Sequence, residues 1–253
     1  STQAKTLFPY TTLFRSLNLL LVVDYRPKRP FPTTMPDTAP TASTAPDTPP
    51  TAPSAQLAAV IAAAAARLVV EEGLEYGPAK RRAARDLGRG ARQVELPGND
   101  EVEDAVREYL DIFCADTQPD ELRALRELAA VWMERLAVFR PHLTGAVWRG
   151  TATRLSALHL ELYCDDGKSA EIALLDRGVD FDIASTRGPQ GRDIDVLSLA
   201  SRCPALGETV TVFLSVLDHD DLRGALKADA RGMTQRGDLA ALRRLLDEQE
   251  EDT

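Results

Sequence analysis

The sequence predicts an α+β protein: an N-terminal helical region over residues 55–140, followed by a small mixed β-sheet with helices over residues 141–253. Three observations carry this expectation. Within residues 55–140, Val102–Phe113 and Leu122–Phe139 place apolar side chains on one stripe at steps of three and four, the period of an amphipathic helix. From His142 the period shortens to two, most clearly in "ALHLELYC" (Ala157–Cys164), where Leu158, Leu160 and Leu162 share one face. A strand–helix–strand run followed by further strands then points to a small mixed sheet with helices packed on it. With 253 residues and 44 % hydrophobic content, the chain can bury a core.

The helical elements follow in order. "AQLAAVIAAAAARLVVEEG" (Ala55–Gly73) is made of strong helix formers, with Ser54 as N-cap and Gly73 as a stop. Pro78 suits the first turn of "PAKRRAARDLGRGAR". Asn99 is expected to cap "DEVEDAVREYLDIFCA", whose acids sit in its first turn, where the helix dipole favours them. Thr117 with Asp120 forms a capping-box pattern for a helix reaching Phe139, with Leu122, Leu125, Ala129, Trp132 and Leu136 on one stripe. Trp132 on that stripe is read as core. Pro141 ends the helix.

The second half reads as "HLTGAV" (strand and turn), "ALHLELYC" (strand), "KSAEIALLDRG" (helix), "VDFDIAST", "DIDVLSLA" and "ETVTVFLSVLD" (strands). Two short helices, "HDDLRGALK" and "RGDLAALRRLLDEQ", precede an acidic tail.

The N-terminus differs in composition. Thr6–Ser16, "TLFPYTTLFRS", matches the translation of a common sequencing adapter, so residues 1–34 are expected to be a non-native leader, with Met35 as the native start. Residues 35–54, rich in Pro, Thr and Ala, are expected to be a disordered tail.

Charge narrows the function. The formal net charge is −9, and residues 1–35 hold five bases and one acid, so the remainder carries −13. An acidic chain makes general nucleic-acid affinity an unfavourable expectation. The basic residues are 5 Lys and 25 Arg, which together with abundant Ala fits a GC-rich bacterial genome. Lys80, Arg81, Arg82, Arg85, Arg89 and Arg92 form a basic helix between residues 80 and 92, read as a solvated face, with nucleic-acid binding as the competing use. Three widely spaced Cys (114, 164 and 203) suggest reduced thiols and a cytoplasmic location. No run is long enough to span a membrane. P-loop and nucleophile-elbow motifs are absent, and the His and Cys residues lack zinc spacing.

One stretch carries a motif. "LTGAVWRGTATRLSALHLELY" (Leu143–Tyr163) resembles the signature of the nucleotidyltransferase superfamily, which includes DNA polymerase β and the minimal nucleotidyltransferases. That signature is a hydrophobic residue, Gly-Ser, often Arg-Gly, then about ten residues, then Asp-x-Asp on a strand. Gly145, Arg149, Gly150, Ser156 and Leu160 fall where the pattern wants them, and the ten residues Val147–Ser156 give the spacing. The resemblance covers about residues 141–186. It implies a nucleotide-binding loop at Gly145, Ala146, Arg149, Gly150 and Ser156, and Mg²⁺ as cofactor if the site is active.

The departures fall on the chemistry. Ala146 replaces the Ser of Gly-Ser, and the two metal-binding Asp positions are Ala157 and His159. Phosphoryl-type transfer needs carboxylate oxygens on Mg²⁺; Ala offers none and His is a poor match. Two readings of different class follow. The favoured one is a catalytically degenerate nucleotidyltransferase-like domain acting as a binding or regulatory module, with a nucleotide or a protein as partner and no confident cofactor or metal. The other is an active, divergent nucleotidyltransferase in which Glu161, sharing a strand face with Ala157 and His159, joins Asp180 and Asp182, expected on the adjacent strand. His159 is a lesser candidate as general base.

Overall fold

The computed structural model describes residues 53–88, 95–188, 190–229 and 232–251. The expected leader and nearly all of the expected tail lie outside the described residues, as do Arg89 and Arg92.

Three helices pack on one another: α1 (Pro53–Glu72), α2 (Tyr76–Asp86) and α3 (Asn99–Phe113). The Ala-rich faces of α1 and α2 let backbones approach closely, and Ile61, Ala65, Ala79, Ala83, Val102 and Val106 are buried between them. α1 begins at Pro53, since proline lacks only an N–H that a first turn leaves unpaired. At α3 the expected cap shifts by one residue. Glu101 Oε2 accepts the Gly98 N–H at 2.6 Å, while Asn99 Oδ1 accepts Lys80 Nζ at 2.8 Å, so Asn99 is the first helical residue.

The fourth helix, α4 (Gln118–Arg135), belongs to a different core. Leu122, Leu125, Ala129, Trp132 and Met133 pack with the sheet rather than with α1–α3. The expected capping box is not made: Thr117 has helical backbone angles and its side chain caps nothing. α4 also stops short of Phe139, and Ala137–Phe139 forms a 3₁₀ turn before Pro141.

The rest runs β1 (His142–Thr144), α5 (Gly145–Arg149), β2 (Leu158–Cys164), α6 (Lys168–Asp176), β3 (Asp182–Arg187), β4 (Asp193–Cys203), β5 (Glu208–Asp218), β6 (Arg236–Gly237) and α7 (Leu239–Glu251). The six strands form one mixed sheet in the order β3-β4-β5-β2-β1-β6. Only β2 and β5 are parallel, with His159 beside Phe213 and Glu161 beside Ser215. Leu158, Leu160 and Leu162 bury one face with Leu197, Val212, Leu214 and the apolar sides of α4, α6 and α7. Trp132 Nε1 donates to Ser201 Oγ at 2.8 Å inside this core.

The C-terminal expectation is corrected at two places. "HDDLRGALK" forms only a 3₁₀ turn over His219–Leu222, and Gly224, at φ +81°, lies outside helical geometry. Arg236–Gly237 pairs with Thr144 and Leu143 as β6 instead of opening a helix, and Asp238 Oδ1 then accepts the Ala241 N–H at 2.8 Å in the first turn of α7. Among the described residues no helix is long and apolar enough to cross a membrane.

Candidate functional site

The site grows from the end of β1. Gly145 has φ +75°, a left-handed conformation that favours glycine, and a Cβ there would meet the His159 ring at 3.5 Å. The chain then makes α5, five residues long, and leaves it at Gly150, also left-handed at φ +83°. The carbonyls at the end of α5 are held from below by Arg126, which is 6 % exposed. Its Nε donates to Val147 O at 3.2 Å and its Nη2 to Trp148 O at 3.4 Å. Burial lowers the Arg126 pKa, and the Glu248 charge partly opposes this.

On β2, the face opposite Leu158, Leu160 and Leu162 presents His159, Glu161 and Tyr163, with Ala157 just before the strand. His159 stacks on Phe213 at 5.1 Å between ring centroids and reaches Glu75 Oε1 at 3.4 Å. Glu75 comes from the joint between α1 and α2, where Gly73 turns at φ +67° with space for a Cβ only 3.0 Å from Leu155. This joint lies over the β2 face and encloses a cavity of about 300 Å³. Gly145, Ala146, Arg149, Ser156, Ala157 and His159 all line it, so the structure brings most of the motif's candidate residues together.

The polar groups of this cavity are largely committed. Arg149 pairs with Glu103 at 2.6 Å and its guanidinium lies 5.8 Å from the Tyr76 ring centre. Ser156 Oγ accepts the Thr153 N–H at 3.0 Å. Hydrogen bonding with His159 holds the Glu75 carboxyl below its ordinary range, against partial burial, with the His159 and Arg149 charges assisting. A carboxylate with a lowered folded pKa stabilises the fold above its unfolded pKa, about 4.3, and that contribution is lost as pH falls through the folded value. Glu75→Gln should therefore cost a small amount, within about 1 kcal/mol for so exposed a pair, at pH 6. The gap between the two melting temperatures should begin to narrow only once pH falls below about 4.3; a gap that does not narrow on acidification would refute the pairing.

Glu161 does not line the cavity. Its Oε2 accepts Arg236 Nη1 and the Tyr163 hydroxyl, both at 2.6 Å, and Arg236 Nη1 also reaches the Tyr163 oxygen at 3.1 Å. Glu161 and Arg236 are both largely buried, their side chains 13 % and 19 % exposed. Burial, with the Glu161 hydrogen bond next, pushes the Tyr163 hydroxyl pKa upward, so it remains protonated.

Asp180 and Asp182 require a correction. They were expected beside β2, but β4 and β5 stand between β2 and β3 in the sheet order. Asp182 opens the far edge strand, Asp180 precedes it, and both are exposed. The reason is connectivity: β3 forms an antiparallel ladder with β4, and β5 takes the place next to β2. The position facing His159 across the parallel ladder is Phe213, which bears no carboxylate.

Sequence reasoning missed Glu75, Tyr76, Phe213 and Arg236. For Phe213 a signal existed, since "ETVTVFLSVLD" is a strong, β-branched-rich strand and a natural central neighbour. Glu75 and Arg236 come from distant segments and gave no local signal. On the basic helix α2, Lys80 is bound to Pro97 O and Asn99, and Arg82 contacts Glu72 and Asp86.

The residues present do not fit a magnesium ion. Ala157 offers no donor, Glu161 is engaged by Arg236, and among the described residues no group of three or more His, Cys, Asp or Glu is arranged to hold a metal.

No protein-family model matches the chain. No curated protein matches it either. Solved structures of Cid1 overlap with part of it. Cid1 in complex with the UTP analog UMPNPP is 16 % identical at a TM-score of 0.28, covering 40 % of this chain and 31 % of that one. Cid1 in complex with its short product ApU is 16 % identical at 0.29, covering 42 % and 32 %. A Cid1 structure described as a basis for its RNA terminal uridylyl transferase activity is 17 % identical at 0.27, covering 40 % and 31 %. The chain thus spans about a third of the length of the structures it overlaps. An overlap this loose transfers no function.

Proposed function

We propose that the chain is a catalytically degenerate nucleotidyltransferase-like domain that works as a binding or regulatory module. The observation that carries this reading is the makeup of the β2 face. Ala157 and His159 occupy the positions where the resemblance calls for Asp, and Glu161, the remaining acid, is neutralised by Arg236 at 2.6 Å. Metal-assisted nucleotidyl transfer from a triphosphate needs carboxylates converging on the ion, at least two in the motif the resemblance implies. The cavity beside His159 suits retention of a ligand under the α1–α2 joint rather than turnover of one.

The test is thermal. MgCl₂ is expected to add nothing to whatever effect ATP, GTP, CTP or UTP alone has on the melting temperature of the full chain. A native-state ligand at a hundred times its dissociation constant would add about 2.7 kcal/mol, several degrees, and a rise of that kind that requires Mg²⁺ would overturn the proposal. Ala157→Asp with His159→Asp is expected to gain stabilisation by Mg²⁺ or Mn²⁺ that the parent lacks. Equal responses in both proteins would mean that the parent already holds a working site.

A further inference from the structure

Arg140 occupies a backbone conformation that an arginine should avoid. Its angles are φ +48° and ψ +58°, and among the described residues it is the only non-glycine with positive φ. Left-handed geometry brings Cβ against the next carbonyl, and the residue before a proline, here Pro141, is further restricted. Glycine would fold there with less strain. Neighbours hold the conformation in place: Arg140 N–H donates to Ala137 O at 3.1 Å, and His142 Nδ1 donates to Arg140 O at 2.9 Å. Strain maintained in this way points to a use for the side chain.

Arg140 is among the residues lining a cavity of about 430 Å³, separate from the β2 face. Its walls are apolar: Met133, Pro141, Leu222, Leu226 and Leu239 line it, and Leu226 is left 48 % exposed at the mouth. Volumes of about 300–1,000 Å³ with apolar walls and few polar groups suit small molecules. Two other polar side chains line it: His142, bound to the Arg140 carbonyl, and the carboxylate of Asp238, whose Oδ1 accepts an N–H in the first turn of α7. The Arg140 guanidinium is different. Among the described residues it has no hydrogen-bond or ion-pair partner.

We propose that this cavity is a binding site for a small monocarboxylate with an apolar body, the body against Met133, Leu222 and Leu239 and the carboxylate paired with Arg140. A guanidinium presents two parallel donors that match a carboxylate, so selectivity for an anion over an isosteric alcohol should be marked. A ligand of this kind also explains the exposed Leu226, which would close over its apolar part.

The test uses the full chain and three probes of one shape: 1-naphthoate, 1-naphthalenemethanol and 1-naphthylmethylammonium. Naphthoate is expected to raise the melting temperature and to bind about tenfold or more tightly than the alcohol, with the amine weakest. Arg140→Gly separates binding from folding. Glycine accepts the left-handed conformation, so the variant should melt at the same temperature as the parent or higher, yet bind naphthoate no better than the alcohol. Ala240→Trp, which fills the cavity from α7, should weaken naphthoate and the alcohol alike. Undetectable naphthoate binding, equal affinity for acid and alcohol, or unchanged naphthoate affinity in Arg140→Gly would each overturn the assignment.

Discussion

Trp132→Ala is expected to lower the free energy of unfolding by about 3–5 kcal/mol, read as a fall in the urea midpoint with an unchanged slope. Trp132 is 3 % exposed and joins α4 to the sheet. It belongs to the same buried cluster as Leu128, Leu136 and the apolar residues of β4 and β5, so truncation opens a large cavity that close-packed neighbours refill poorly. The same change leaves Ser201 Oγ, on a residue only 9 % exposed, without its donor at 2.8 Å. Trp132→Phe separates the two effects. It keeps most of the ring volume and removes only the hydrogen bond, so a loss of about 1 kcal/mol is expected. A loss below 1 kcal/mol for the alanine variant would mean that α4 is not packed on the sheet.

Gly237→Ala is expected to cost about 3 kcal/mol, at the upper end for overpacking by a single methyl group. A Cβ on Gly237 would lie 2.0 Å from Trp148 Cη2 and 2.3 Å from Cζ3, well inside contact distance. The ring cannot simply retreat, because Trp148 Nε1 donates to Thr234 O at 2.7 Å. Relief must come from β6 moving off β1, which would draw Arg236 away from Glu161. Combining the change with Trp148→Ala should restore part of the loss, so that the double variant is more stable than the two single effects predict. Strict additivity would rule out the clash as the cause.

The elements read best from sequence were those whose own period matched their burial. β2 is the clearest, with Leu158, Leu160 and Leu162 fully buried and His159 and Glu161 turned the other way. The stripe of α4 was equally legible, but not its partner, because periodicity gives a face and says nothing of what covers it. Asp180 and Asp182 failed for that reason. Their strand was expected beside β2 from its place in the chain, whereas the sheet interposes β4 and β5. Glu161 was correctly placed on the His159 face, but its role depended on Arg236, seventy-five residues away. Such pairings are tertiary, and no local pattern encodes them.

The parallel pairing of β2 with β5 bears on how the chain is made. As residues emerge in order, α1–α3 can complete its core from neighbouring segments alone. β2 cannot. By the time Cys164 has been synthesised, its only available partner is the three-residue β1, and the edge that will receive Val212–Asp218 is bare. Leu158, Leu160 and Leu162 then await partners that include Val212 and Leu214, still to be made. The nascent chain therefore carries an apolar strand with an open edge through the synthesis of α6, β3 and β4, the interval in which pairing with another chain competes with folding.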